Sequence, residues 1–133
     1  MRAAPFLQFD GNCAEAFAFY GECFGNAPTV TMTYGQSPMA EQVSVHHRKR
    51  VMYTEVAVGD SIVMGSDVMA GFTPAAGFHV SVRVESAEAA ERVFAALSSG
   101  GVITMPMQAT FWAPRFGVLK DRFGVPWMVN YQV

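Results

Sequence analysis

Apolar residues recur at helical spacing in two places along the chain. The first stripe is Ala16, Phe19, Tyr20 and Cys23, and the second, 74 positions on at the same offsets, is Ala90, Val93, Phe94 and Leu97. The steps i, i+3, i+4 and i+7 describe the buried face of an amphipathic helix. Each stripe has its own start and stop signals. Asn12 precedes the first, with Glu15 three residues on to close a capping box, and Gly25 follows Phe24 as a helix terminator. Ser86 precedes the second, Glu88 lies in its first turn, and Gly100-Gly101 ends it.

The flanks repeat too. A short apolar segment precedes each helix: Phe6-Leu7-Gln8-Phe9, and Phe78 to Val84, where apolar and polar residues alternate as in a half-buried strand. His79 stands at the opening of that second segment. A strand is expected after each helix, over Thr29 to Tyr34 and over Gly101 to Met105. A hairpin follows in each half. Val51 to Val58 turns at Gly59-Asp60 into Ser61 to Ser66, and Phe116 to Lys120 turns through Asp121 to Gly124 into Pro126 to Tyr131. The pattern predicts strand, helix and three strands, twice over, in modules of about residues 5–68 and 78–131 within one 1–133 domain. Gly35 to Arg50, polar and holding His46-His47-Arg48-Lys49-Arg50, reads as a mobile solvated loop. Met69 to Gly77 reads as the linker. Ala109 to Arg115 reads as irregular, because Pro114 would remove a ladder hydrogen bond.

Composition narrows the class. Of 133 residues 51% are hydrophobic and 15% charged, which excludes a charge-rich disordered chain. A net charge of -2, from 9 basic and 11 acidic side chains, lacks the basic footprint of a nucleic-acid binder. No apolar run approaches the ~20 residues of a membrane span, and Met1 to Pro5 has no apolar signal core. A soluble cytoplasmic protein is expected, with no nucleic-acid or membrane partner. Cys13 and Cys23 fall in one helix. At ~1.5 Å per residue they lie ~15 Å apart, beyond the roughly 7 Å that a disulfide allows. Two reduced cysteines are expected.

One helix covers only one face of a four-stranded sheet. Two such units are expected to form a curved mixed sheet with helices outside and a concave ligand cavity inside, an α+β fold. This plan resembles the vicinal oxygen chelate superfamily, which includes glyoxalase I, bleomycin-resistance proteins and extradiol dioxygenases. Particular segments resemble its PhnB-like branch, often labelled 3-demethylubiquinone-9 3-methyltransferase. They are Phe9-Asp10-Gly11-Asn12, Glu15-Ala16, Phe19-Tyr20, Phe24-Gly25 and Met32-Thr33-Tyr34-Gly35 near the start. Near the end they are Phe111-Trp112, Phe116-Gly117-Val118 and the run Asp121 to Asn130. The resemblance covers about residues 5 to 131.

The resemblance implies one divalent metal, held by His or Glu from the first and last strands of each half. Carried over position by position, those places hold His79, its repeat mate Pro5, Met128 four residues after the turn glycine, and Val63 or Met64 in the first half. One histidine without carboxylates falls short of the three protein ligands of a catalytic centre, so no metal and no cofactor are expected. Many PhnB-like chains carry a histidine where Tyr53 stands here. A one-residue insertion at Asp10-Gly11 would shift the register of the first strand and change the face of Gln8.

The expected ligand pocket is lined by Tyr53, Glu55, His79, Trp112, Met128 and Asn130. Glu55 lies two residues from Tyr53, and Asn130 two from Met128, so each pair shares a strand face. Trp112 is placed as a lid and Trp127 in the core, and the nine methionines suit an adaptable apolar cavity. The expected function is metal-independent binding of a small, partly apolar molecule. The alternatives are a lyase, isomerase or dioxygenase built on His79, Tyr53 and Glu55, or sequestration by a homodimer, with modules exchanged between chains. Methyl transfer lacks its usual device, a glycine-rich strand-to-helix loop; Gly100-Gly101 follows a helix instead.

Overall fold

A computed structural model describes the backbone of residues 1–133 and every side chain except that of Val30. The chain divides into two compact units, Met1–Thr73 and Pro74–Val133, and the division falls inside the expected linker.

The first unit runs β1 (Phe6–Phe9), α1 (Cys13–Phe24), β2 (Val30–Thr33), β3 (Val51–Val58) and β4 (Ser61–Asp67). Its sheet order is β1-β4-β3-β2, with β1 parallel to β4 and the other pairs antiparallel. The second unit repeats the plan with β5 (Val80–Val84), α2 (Ala87–Ser98), β6 (Val102–Gln108), β7 (Arg115–Lys120) and β8 (Pro126–Tyr131), in the order β5-β8-β7-β6. Both sheets are mixed and each carries one helix, so the fold is α+β and built of two βαβββ modules. No helix among the described residues is long and apolar enough to cross a membrane.

The second helix follows its sequence signals closely. Ser86 caps it by accepting a hydrogen bond from Ala89 N at 3.0 Å, and Ala90, Val93, Phe94 and Leu97 are all buried. The first departs from them. Asn12 makes no side-chain cap. The carboxylate of Asp67, at the end of β4, accepts from Gly11 N at 2.8 Å and Cys13 N at 3.0 Å with Oδ1, and from Val51 N at 2.8 Å with Oδ2. The buried face keeps Ala16, Tyr20 and Cys23 of the expected stripe and adds Cys13 and Phe17, while Phe19 is only half-buried. Phe17 packs edge-on against Phe9 at 6.0 Å and Tyr20 at 5.4 Å. Neither cysteine is in a disulfide, as expected, and both are buried. Burial, with Asp67 alongside, pushes the Cys13 thiol far up and keeps it protonated.

Gly65 makes room for Phe17. A Cβ there would come within 2.4 Å of the ring's Cε1 and 3.1 Å of the Leu7 carbonyl. Gly65→Ala is therefore expected to destabilise the fold by about 1–3 kcal/mol, the usual cost of overpacking. Urea unfolding checks this, and an unchanged midpoint would contradict it.

The segment from Gly35 to Arg50, read from sequence as a mobile loop, holds 3-10 turns at Tyr34–Gln36, Ala40–Gln42 and Val45–His47. Arg48 Nε ties it by donating to the carbonyls of Ala40 and Val43, and Val43 is buried. Arg50 reaches back to Asp10 at 3.1 Å and to the Val68 carbonyl at 2.6 Å. β6 is longer than expected, reaching Gln108 through Pro106. It tolerates the proline because it is the sheet's edge strand. β5 begins at Val80, so His79 stands one residue ahead of the strand it was expected to open.

Candidate functional site

Each helix covers one face of its sheet, and the candidate residues sort by the other face. In the first unit Leu7, Phe9, Thr54, Val56, Val63 and Gly65 occupy the covered side. Strand alternation turns Phe6, Gln8, Tyr53, Glu55, Met64 and Ser66 away from α1. Phe6 pairs with Met64 across β1–β4, Met64 with Glu55 across β4–β3, and Tyr53 with Met32 across β3–β2. Phe6 is 46% exposed and Met32 38%. Phe6, Met32 and Met64 thus flank the two polar candidates, with Gln8 and Ser66 further along the same face.

Tyr53 and Glu55 meet as their spacing implied. Tyr53 Oη donates to Glu55 Oε2 at 2.5 Å, and Thr29 Oγ1 reaches the other carboxylate oxygen at 3.5 Å. The bond to Glu55, helped by desolvation and by the carboxylate's charge, raises the Tyr53 pKa above that of an ordinary phenol. Tyr53 thus keeps its proton and serves as a donor. Its ring lies 6.3 Å from that of Phe6, tilted by 44°.

In the second unit two rows cross the face turned from α2. One is Ser81, Met128, Val118 and Met105; the other is Arg83, Asn130, Phe116 and Gln108. Met128 and Asn130 share the face, as predicted. Asn130 Oδ1 is buried and has no hydrogen-bond partner among the described residues. Trp112 sits in the irregular stretch before β7. A tight turn holds it there, in which Thr110 N donates to the Ala113 carbonyl at 2.8 Å and Ala113 N to Thr110 Oγ1 at 3.1 Å. Trp112 packs edge-on against Phe116 at 5.2 Å and Phe111 at 4.8 Å. Phe116 is only 8% exposed although its strand position faces away from the helix. Trp127 is fully buried, as expected of a core residue.

The metal implied by the superfamily does not fit these residues. The β1–α1 connection is Asp10-Gly11-Asn12 and the β5–α2 connection Glu85-Ser86, so the first half carries the extra residue. Counted back from the strand ends, the mate of His79 is Ala4 rather than Pro5. The register also places Met64, rather than Val63, opposite Phe6 as Met128 is opposite Ser81. The four places therefore offer one imidazole, a methyl group and two thioethers, a poor set for a hard divalent ion. Among the described residues no group of three or more His, Cys, Asp or Glu is placed to hold a metal.

As site residues, sequence reasoning did not single out Phe6 and Met32; it named Met64 only as a place where a metal ligand is expected, and Phe116 only within a strand and a family motif. Strict alternation from Leu7 and Phe9 marks Phe6 as facing away from the helix, and cross-strand pairing brings in the others.

Comparison with known proteins agrees with this fold. Residues 1–130 match the family model for 3-demethylubiquinone-9 3-methyltransferase. The chain is 33% identical to Protein YjdN of Escherichia coli strain K12, over 98% of this chain and 95% of that one. It superposes on the crystal structure of protein PA1353 from Pseudomonas aeruginosa with a TM-score of 0.90 at 36% identity, covering 99% and 98% of the two chains. A PhnB protein from Bacillus cereus follows with a TM-score of 0.77 at 25% identity, over 98% and 99%. A glyoxylase/bleomycin resistance protein/dioxygenase domain from Frankia sp. shares the fold, with a TM-score of 0.67 at 13% identity over 100% and 98%.

Proposed function

We propose a function from one fixed premise: the chain belongs to the 3-demethylubiquinone-9 3-methyltransferase family, the PhnB-like branch of the glyoxalase/bleomycin-resistance fold. It binds a small, partly apolar molecule on a sheet face turned from its helix, without a divalent metal. Tyr53, Glu55, Trp112, Met128 and Asn130 line these faces in the two units, and His79 flanks the second. The working form is a homodimer.

One observation carries this reading. Asn130 Oδ1 is a buried acceptor without a partner, on the same face as Phe116 and its neighbour Trp112. Leaving such an atom unpaired costs about 1–3 kcal/mol. A ligand that donates to it offsets that cost, and the aromatic rings supply apolar contact. Methyl transfer is not supported. The two strand-to-helix connections hold one glycine between them, Gly11, so neither is the glycine-rich cradle of an adenosyl donor. One observation favours a second reading, acid/base chemistry. The Tyr53 hydroxyl hydrogen-bonded to the Glu55 carboxylate sets a proton donor against a proton acceptor on one strand face.

Native mass spectrometry of gently purified protein tests the proposal. The expected spectrum is a dimer carrying a non-covalent organic adduct, with elemental analysis far below one Zn, Mn or Fe per chain. A stoichiometric metal overturns the metal-free reading. A single-chain mass removes the dimer. No adduct, even after incubation with a cellular small-molecule extract, overturns binding.

A further inference from the structure

We infer that the open face of the first sheet receives an organic cation, an ammonium or amidinium group carried on an apolar or aromatic body, with Glu55 as its counter-charge and Phe6 and Tyr53 as its aromatic wall. This rests on the reading of the open faces as ligand surface and adds the chemical class of the ligand.

Glu55 is half-buried, and among the described side chains its strand neighbours on this face are Met64 beside it and, beyond, Phe6, Tyr53, Met32, Gln8 and Ser66. None carries a positive charge. Among the described residues the ion pairs are Arg50 with Asp10 and Arg115 with Glu91, and neither includes Glu55. Its protein partners are hydroxyls, Tyr53 Oη at 2.5 Å and Thr29 Oγ1 at 3.5 Å. These fix the carboxylate without neutralising it. A half-buried carboxylate held by hydroxyls beside thioethers and rings has no cation on its own strands, and a cationic guest supplies one.

The rings favour the same guest. Phe6 and Tyr53 stand 6.3 Å apart and tilted by 44°, and Phe6 is 46% exposed. Exposed ring faces attract a cation through the quadrupole of the ring. The flexible thioethers of Met32 and Met64 supply adaptable apolar contact for the body that carries the charge. A neutral ligand would gain the apolar contact and leave the carboxylate uncompensated. An anionic one would be repelled.

Methyl-labelled methionine spectra, assigned with Met32→Leu and Met64→Leu, test the inference. The probes are phenethylammonium chloride and its neutral relative phenethyl alcohol. The ammonium is expected to shift the Met32 and Met64 methyl signals saturably. The alcohol, and the ammonium against Glu55→Gln, should each bind at least about ten-fold more weakly, the loss of an ion pair supported by ring contact. Rising sodium chloride should weaken the ammonium alone. Circular dichroism confirms that Glu55→Gln is folded, and Phe6→Ala supplies a second variant that leaves the charge in place and should also weaken the ammonium. Equal binding of the two probes at these methyls overturns the cation preference and leaves the binding face standing. Ammonium affinity unchanged in Glu55→Gln overturns the role of Glu55. Shifts from neither probe overturn both the inference and the reading of this face as ligand surface.

Discussion

Asp67→Ala is expected to lower the unfolding free energy by about 3–5 kcal/mol, because three backbone N–H groups lose a charged acceptor at once. The carboxylate is 1% exposed and joins the loop before α1, the first residue of α1 and the first residue of β3. Without it Gly11, Cys13 and Val51 keep donors that face a void. The negative charge beside the N-terminus of α1 is lost as well, removing a favourable helix-dipole contact. Asp67→Asn keeps one acceptor oxygen and is expected to lose about half as much, since a neutral acceptor makes the weaker bond. Thermal unfolding should show a fall of about 10–20 °C for the alanine variant and a smaller one for asparagine. A loss under about 1 kcal/mol for Asp67→Ala would remove Asp67 as the organiser of this corner.

The same residue shows where sequence reading stops. A local window offers Asn12 and Glu15 as a cap, and each is of the right type. The acceptor that is used lies 54 residues from Cys13 and reaches it only once β1 and β4 are paired. The stripe of α1 has a related cause. Periodicity alone accommodates 16, 19, 20 and 23 as well as 13, 16, 17 and 20. The space over Gly65 decides for Phe17. By contrast α2 and both hairpins were legible because their signals are local: a serine cap, the Gly59-Asp60 turn and the turn through Asp121 to Gly124. In the candidate site, i and i+2 spacing sufficed to join Tyr53 with Glu55 and Met128 with Asn130. Phe6, Met32 and Met64 needed cross-strand register, which a single sequence does not specify. The extra residue at Asp10-Gly11 moved the mate of His79 to Ala4. A count from the helices alone, which repeat at one fixed offset, misses that shift.

Trp127→Ala is expected to cost about 3–5 kcal/mol, from the cavity it opens in the core of the second sheet. The indole has no exposed surface, and its Nε1–H donates to Asp121 Oδ2 at 2.9 Å. The other oxygen of Asp121 accepts from Phe123 N at 2.8 Å and Val125 N at 3.0 Å, which shapes the turn between β7 and β8. One carboxylate thus links the turn to the core of the second sheet, much as Asp67 links elements of the first. Trp127→Phe separates the two contributions. It keeps most of the apolar volume and removes the donor, so the expected loss falls to about 1–3 kcal/mol, the cost of a buried acceptor deprived of its partner. In a double-mutant cycle with Asp121→Asn the two changes should be less than additive by about 0.5–3 kcal/mol, since both break one bond. Fluorescence reports which tryptophan is lost. Trp127→Phe leaves Trp112, which is 46% exposed, and its emission should move to longer wavelength than that of the unchanged protein. Full additivity in the cycle would show that the indole and the carboxylate act independently. The turn would then owe its shape to the backbone donors at Phe123 and Val125 alone.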